Sequence, residues 1–191
     1  MRQRRDNHPM SPDPLQVVRY DEEWPRLFEA LGGRIRSALG DAAVRIDHIG
    51  STAVVGLDAK PIIDVQISVP ALDPIDTFRP GLESCGFVWR SDNPDLTKRY
   101  FREQPGQRRI HLHVRRSGSF SEQLALMFRD YLRVHPERRA AYAALKHSLA
   151  HLLPTDRTAY VDGKGPFIWD TVRLADQWAQ DTGWEPGASD F

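Results

Sequence analysis

The chain has 191 residues, 40% hydrophobic and 27% charged, which suits one sizeable core and a single domain. Its 26 basic and 26 acidic side chains cancel, so no global field draws it to nucleic acid and any anion site must be local. A lone cysteine, Cys85, excludes an intrachain disulfide, Arg4-Arg5 leads into no apolar leader, and no apolar run reaches membrane length. The expectation is a cytoplasmic protein without a membrane partner.

Residues 1–14 are polar and carry three prolines, and 181–191 are rich in Gly, Pro, Ser and Asp, so both ends read as flexible tails around a domain at 15–180. Leu15 to Tyr20 can open a strand. From Glu22 to Leu39, Trp24, Leu27, Phe28, Leu31, Ile35 and Leu39 recur at helical spacing, and Gly40 stops the run. Val44 to Ile49 reads as a strand ending in a Gly-Ser turn. Ile62 to Val69 alternates, with Ile63, Val65, Ile67 and Val69 on one face and Asp64, Gln66 and Ser68 on the other. Asp73 to Cys85 predicts a helix and Phe87 to Arg90 a short strand. Thr97 to Glu103 and Arg109 to Arg115 flank Gln104-Pro105-Gly106-Gln107 as a hairpin whose second strand puts His111 and His113 on one face. Three apolar stripes beyond Ser119 predict a helical C-terminal half. The fold class is therefore α+β: a mixed sheet with helices packed on one face, then helices.

Chemistry concentrates between His48 and Gln66. Gly50, Ser51 and Thr52 form a small-residue turn whose backbone amides can face an anion, with Ser51 adding its hydroxyl. The same turn can instead be a helix N-cap. Lys60 follows, and Asp64 projects from the polar face of the next strand, where it can hold a metal or be a strand-end carboxylate tied by an arginine or loop amides. The spacing is not that of a Walker A loop, and neither GxGxxG nor HExxH occurs. His111 and His113 suit metal contact, general base or phosphate contact, or simple hydrogen bonding to Asp64. Lysine is scarce, four against 22 arginines, and Lys60, Lys146 and Lys164 lie in the segments quoted next. The Gly-Pro neighbours of Lys164 suggest a loop over the site. Arg129 beside Asp130 reads as a ligand contact or as a buried ion pair locking helix to sheet. Arg99, Tyr100 and Arg102 can line a cleft or simply be solvated. Cys85 reads as a packed small side chain.

The whole run from His48 to Asp64 carries a resemblance, together with His111-Leu112-His113-Val114 and Phe128-Arg129-Asp130-Tyr131-Leu132 with His135-Pro136-Glu137. Tyr142-Ala143-Ala144-Leu145-Lys146 and Lys164-Gly165-Pro166-Phe167-Ile168 complete it. Over residues 15–172 the chain resembles the GrpB family of the nucleotidyltransferase (DNA polymerase beta-like) superfamily. The resemblance implies a nucleotidyltransferase-like fold and a divalent metal, Mg²⁺ or Mn²⁺, with Zn²⁺ a further candidate because imidazoles replace carboxylates. It implies a nucleotide or other phosphorylated small molecule as ligand, with Asp64, His111 and His113 catalytic and Asp64, Gln66 and His113 on the metal. Gly50, Ser51, Thr52, Lys60, Arg99, Tyr100, Arg129 and Lys164 are the expected substrate or phosphate contacts. Superfamily members usually carry two acids at alternate positions of this strand, about 6–7 Å apart. Here the second is Gln66, which brings a carbonyl but no charge.

Two functions follow: nucleotidyl transfer to an unassigned acceptor, or a non-catalytic phosphate-binding or interaction module. Relatives fused to dephospho-CoA kinase make a link to coenzyme A metabolism conceivable for either. A monomer and a homodimer are equally compatible with the sequence.

Overall fold

A computed structural model describes residues 16–191; the N-terminal tail expected at 1–14 lies outside the described residues. Five strands form one sheet in the order β1-β2-β5-β4-β3: β1 (Arg45–Ile49), β2 (Ile63–Val69), β3 (Phe87–Trp89), β4 (Lys98–Glu103) and β5 (Ile110–Arg116). The β2–β5 pair is parallel, and β1–β2, β5–β4 and β4–β3 are antiparallel, so the sheet is mixed. Helices α1 (Glu23–Leu39) and α2 (Arg79–Ser84) precede β3, and α3 (Phe120–Val134), α4 (Pro136–Leu149) and α5 (Arg157–Thr182) make the C-terminal half helical.

The main core lies where period-2 strands meet the period-3.6 stripe of α1. Trp24, Phe28, Leu31 and Ile35 pack on Ile46, Val65, Ile67, Leu112 and Val114, all buried. These side chains occupy one face of the sheet because alternate residues point the same way. A second cluster joins Val54 and Leu57 to Leu132 and Tyr142, with Phe167 stacked on Tyr142 at 5.1 Å, and this seats the C-terminal helices beside the Gly50 turn.

Four segments differ from the sequence reading. Leu15 to Tyr20 contributes only a single bridge, Val18 to Ala59, among the described residues. The helix expected over 73–85 is a 3₁₀ turn (Ile75–Thr77) followed by the short α2, because Phe78 is not helical and Pro80 has no N–H to extend a helix backward. The Gly-Pro segment around Lys164 is no loop: Pro166 sits inside α5, which stays against α4 with the Arg138 guanidinium 4.0 Å from the Phe167 ring centre. The segment read as a C-terminal tail docks. Ser189 Oγ and an Asp190 carboxylate oxygen accept the outward N–H groups of Ile46 and His48, both at 2.9 Å, and the Phe191 ring packs 5.7 Å from Phe28. These contacts cap β1, a sheet-edge strand that would otherwise expose unpaired amides. No helix among the described residues is long and apolar enough to cross a membrane.

Candidate metal and phosphate site

The face of the sheet away from α1 is polar, and strand register assembles it. Parallel pairing of β2 with β5 sets Asp64 opposite His111 and Gln66 opposite His113; antiparallel β4 adds Tyr100 beside His113. One Asp64 carboxylate oxygen lies 3.0 Å from His111 Nδ1 and 3.4 Å from His113 Nε2. The ligand-capable atoms of these three residues all fall within 4.8 Å of one another. The second ring nitrogens, His111 Nε2 and His113 Nδ1, are buried without a hydrogen-bond partner. Burial alone would raise the Asp64 carboxyl, but hydrogen bonds and charge from His111 and His113 outweigh it and hold it well below the usual carboxylate range. Burial pushes His113 down to about 4 despite Asp64. At neutral pH the cluster thus offers a carboxylate and a neutral imidazole, which is the ionisation state a divalent cation requires of its ligands. The donor set fits such an ion, and its nitrogen content favours Mn²⁺ or Zn²⁺ over Mg²⁺.

Gly50 is pressed against this cluster. Its φ of +71° with ψ of −169° is a conformation essentially confined to glycine, and a Cβ built there would stand 2.7 Å from an Asp64 carboxylate oxygen. Gly50→Ala should therefore cost about 1–3 kcal/mol from the backbone alone and displace the Asp64 carboxylate. Urea denaturation with Mn²⁺ titration checks this; wild-type stability and wild-type Mn²⁺ affinity together would refute the close packing.

A cleft of about 220 Å³ opens over the cluster, lined by Ser51, Lys60, Asp64, His111, Lys146 and Lys164 among others. Arg157, Tyr160 and Lys164 lie three and four residues apart on α5, hence on one side of that helix, and all three line the cleft. The Tyr160 ring carries Lys164 Nζ at 4.6 Å and Lys60 Nζ at 5.5 Å from its centre. Burial, with the neighbouring Lys60 charge, lowers Lys164 to about 8. Lys146, buried at 2% exposure, donates to the backbone carbonyl of Asp58 and is lowered to about 7 by burial and by Lys164. Three lysine amines crowded beside one carboxylate, two of them shifted toward neutrality, make a site where a bound anion would favour their charged forms. Tyr142, whose hydroxyl proton is held more tightly because of burial, lies near Ser51 beside the turn.

Of the residues expected at the site, Gly50, Ser51, Lys60, Asp64, His111, His113, Tyr100 and Lys164 lie in or against this assembly. Thr52 also lines the cleft, though its hydroxyl is spent, and Gln66, Arg99 and Arg129 are engaged elsewhere. Thr52 is buried and gives its single hydroxyl proton to the Ile62 carbonyl at 3.0 Å; His48 Nε2, 3.0 Å from the same oxygen, must then be the protonated nitrogen that donates to it. Gln66 is fully buried, its carbonyl accepting from Arg115 and its amide donating to the Glu122 carbonyl at 3.3 Å, so it is no member of the Asp-His cluster. Arg99 pairs with Val114 in register and so belongs to the opposite face, where it binds Asp73 at 2.6 Å. Arg129 is buried and donates to Asp130 at 2.8 Å, to the His48 carbonyl at 3.0 Å and to Asp190 at 3.3 Å, which is the helix-to-sheet lock. Lys146, Arg157 and Tyr160 were not assigned to the site from sequence. Lys146 alone carried a signal, as one of four lysines.

Acid should weaken this structure through its buried imidazoles. Burial lowers His48 from an ordinary 6.5 to about 3 and His113 to about 4. The unfolded chain then binds protons that the folded chain refuses, so stability is full above about pH 6.5 and falls as pH drops toward 4. The slope is up to about 1.4 kcal/mol per pH unit for each histidine. Urea midpoints at pH 7, 6 and 5 test it, and a flat profile would mean that neither ring is held neutral.

The fold and site define a mixed-sheet α+β domain in which one Asp-His-His cluster opens on a lysine-lined cleft. The family model described as GrpB protein matches residues 14–173. A UPF0157 protein of Pseudomonas aeruginosa is 42% identical over 160 residues, covering 82% of this chain and 65% of that protein. A dephospho-CoA kinase of Mycolicibacterium paratuberculosis is 34% identical over 200 residues, covering 91% of this chain and 49% of that protein. The crystal structure of conserved protein GrpB from Enterococcus faecalis superposes with a TM-score of 0.77 at 30% identity, covering 85% of this chain and 99% of that one. The chain belongs to the GrpB family, and it spans about half to two thirds of the length of these two curated relatives.

Proposed function

We propose that this domain binds a nucleoside triphosphate or a related phosphorylated molecule in the lysine-lined cleft, with a divalent ion on Asp64, His111 and His113, and transfers a nucleotidyl group to an acceptor. The observation that carries this reading is the convergence of Lys60, Lys146 and Lys164, three of the chain's four lysines, on the cleft that exposes Asp64. Lys60, Lys164 and Arg157 would hold a phosphate chain, and the Gly50–Ser51 turn would meet it with amide and hydroxyl donors. Tyr160 orients both lysines and excludes water from one wall. The bound ion would supply charge neutralisation at the phosphoryl oxygens.

One observation favours the second reading, a binding module without catalysis: the cluster holds a single carboxylate, and Gln66 is committed to Arg115. The dephospho-CoA kinase relative makes coenzyme A precursors sensible members of the ligand panel.

Thermal unfolding against nucleoside triphosphates and coenzyme A precursors, with and without Mg²⁺ or Mn²⁺, tests binding. A ligand at about a hundred times its Kd should add roughly 2.7 kcal/mol, or about 5–10 °C for a chain of this size. Metal-dependent release of pyrophosphate from the ligand that shifts the transition separates transfer from mere binding. No shift with any compound would overturn both readings.

A further inference from the structure

The polar face carries a cation that the site described above does not use. It runs Asp64, Gln66, Ser68 along β2 and His111, His113, Arg115 along β5, in register. Gln66 stands about 6–7 Å along the strand from Asp64, where a second acid would be needed if two divalent ions were to share ligands. Its carbonyl oxygen faces the Arg115 guanidinium, and its nitrogen is spent on the Glu122 backbone carbonyl. Arg115 is partly buried, lies within electrostatic range of both Asp64 and His113, and has a buried Nε without a partner. The other acids nearby are committed, Asp95 to Thr97 at 2.6 and 3.0 Å and to Lys98 at 3.3 Å. Glu122 accepts from Ser68, from the Gly118 N–H at 2.6 Å and from Gln123 at 3.0 Å. Asp47 is gripped by Arg45 at 2.8 and 3.0 Å.

Resting on the reading under Proposed function, we infer that Arg115, oriented by Gln66, is a resident cation standing where a second divalent ion would be held. Each chain then takes one divalent ion, and Arg115 meets a phosphoryl oxygen of the ligand. A guanidinium suits that position: it is permanently charged, planar, and able to donate two parallel hydrogen bonds to a phosphate. With Gln66 in place of an acid, no carboxylate is left to fix a second ion, and none is needed to fix a tethered one. Arg115 and Gln66 are thus one substitution in two parts, placed on neighbouring strands that the parallel register brings together.

The test counts Mn²⁺ per chain by equilibrium dialysis and measures inorganic tripolyphosphate affinity by calorimetry on the full chain. Wild type should hold one Mn²⁺. Arg115→Gln should lose about ten- to a hundredfold in tripolyphosphate affinity while still holding one Mn²⁺, and Arg115→Lys should recover part of the loss, supplying the charge without the paired hydrogen bonds. The double variant Gln66→Asp/Arg115→Ala should take two Mn²⁺ when tripolyphosphate is present. Two ions on wild type, unchanged tripolyphosphate affinity in Arg115→Gln, or a folded double variant that still takes one ion each overturns the inference and leaves the metal-and-phosphate reading standing. Wild type that binds neither Mn²⁺ nor tripolyphosphate overturns that reading and the inference with it. If the double variant does not fold, the Gln and Lys variants of Arg115 decide alone.

Discussion

Replacing Asp64 by asparagine is expected to abolish Mn²⁺ binding and, with it, the metal-dependent part of any nucleotide stabilisation, while the domain stays folded. The side chain keeps its shape, so packing against Gly50 is preserved, and 25% of it is exposed, so no large cavity or buried void follows. What disappears is the one charge in the Asp64–His111–His113 cluster. Loss of a group that merely orients a metal ligand costs about 10–100-fold in affinity, and loss of the sole anionic ligand should exceed that. The imidazoles do not compensate, because His113 is already held neutral by burial and loses the partner that opposed that effect. Calorimetric titration of Mn²⁺ into wild type and Asp64→Asn, with matched urea midpoints, is the measurement. An unchanged affinity would remove the cluster from consideration as a metal site and leave Asp64 as a strand carboxylate held by two histidines. Because the carboxamide oxygen introduced by Asp64→Asn can still accept from His111 but without charge, the stability loss should stay within about 1.5–3 kcal/mol, the worth of one hydrogen bond to a charged group. A large ion-binding loss without a large stability loss is the signature of a functional rather than a scaffolding carboxylate.

The residues of this cluster were legible in the sequence and the family resemblance grouped them, but strand alternation alone does not assemble them. Alternation along Ile62 to Val69 places Asp64 and Gln66 on one face, and alternation along Arg109 to Arg115 pairs His111 with His113. Neither pattern says that the two strands are neighbours, parallel, and in a register that puts Asp64 opposite His111. That fact comes from the direct pairing of β2 with β5 and from a core that joins the apolar faces of both strands, a long-range condition. Parity also explains Arg99: two adjacent residues of one strand cannot both face the cleft, and pairing Tyr100 with His113 sends Arg99 the other way. Thr52 shows a further limit. A hydroxyl in a Gly-Ser-Thr turn looks available to a phosphate, yet the buried His48 stacked on Phe28 at 4.6 Å needs a partner and takes it. Helix α5 overrides its own Gly-Lys-Gly-Pro signal because Tyr142 and Arg138 clasp Phe167 from α4. At the C-terminal end the polar composition concealed one apolar residue, Phe191, that seats against Phe28, and an aspartate that answers a buried arginine.

That arginine supplies the complementary prediction. Arg129→Ala should destabilise the domain by about 3–5 kcal/mol, the usual result of removing one partner from a buried charge network. For a chain of this size the corresponding fall in Tm is on the order of 10 °C. The guanidinium keeps only 4% exposure and joins three pieces of chain: Asp130 on its own helix, the His48 carbonyl on β1, and Asp190 of the docked C-terminal segment. Asp47, with no exposed side-chain surface, lies 3.9 Å away and would keep Arg45 as its remaining partner. A phosphate-contacting arginine would behave in the opposite way, losing tripolyphosphate affinity at unchanged stability. The two roles are therefore separated by one pair of measurements, urea denaturation and tripolyphosphate titration. Limited proteolysis adds the structural detail. If Arg129 pins Asp190, its loss should make residues 183–191 the first segment cleaved under native conditions, before any cut in α3 or the sheet. Resistance of that segment in a destabilised Arg129→Ala would mean that Phe191 and the β1 amides hold it without help from the buried charge.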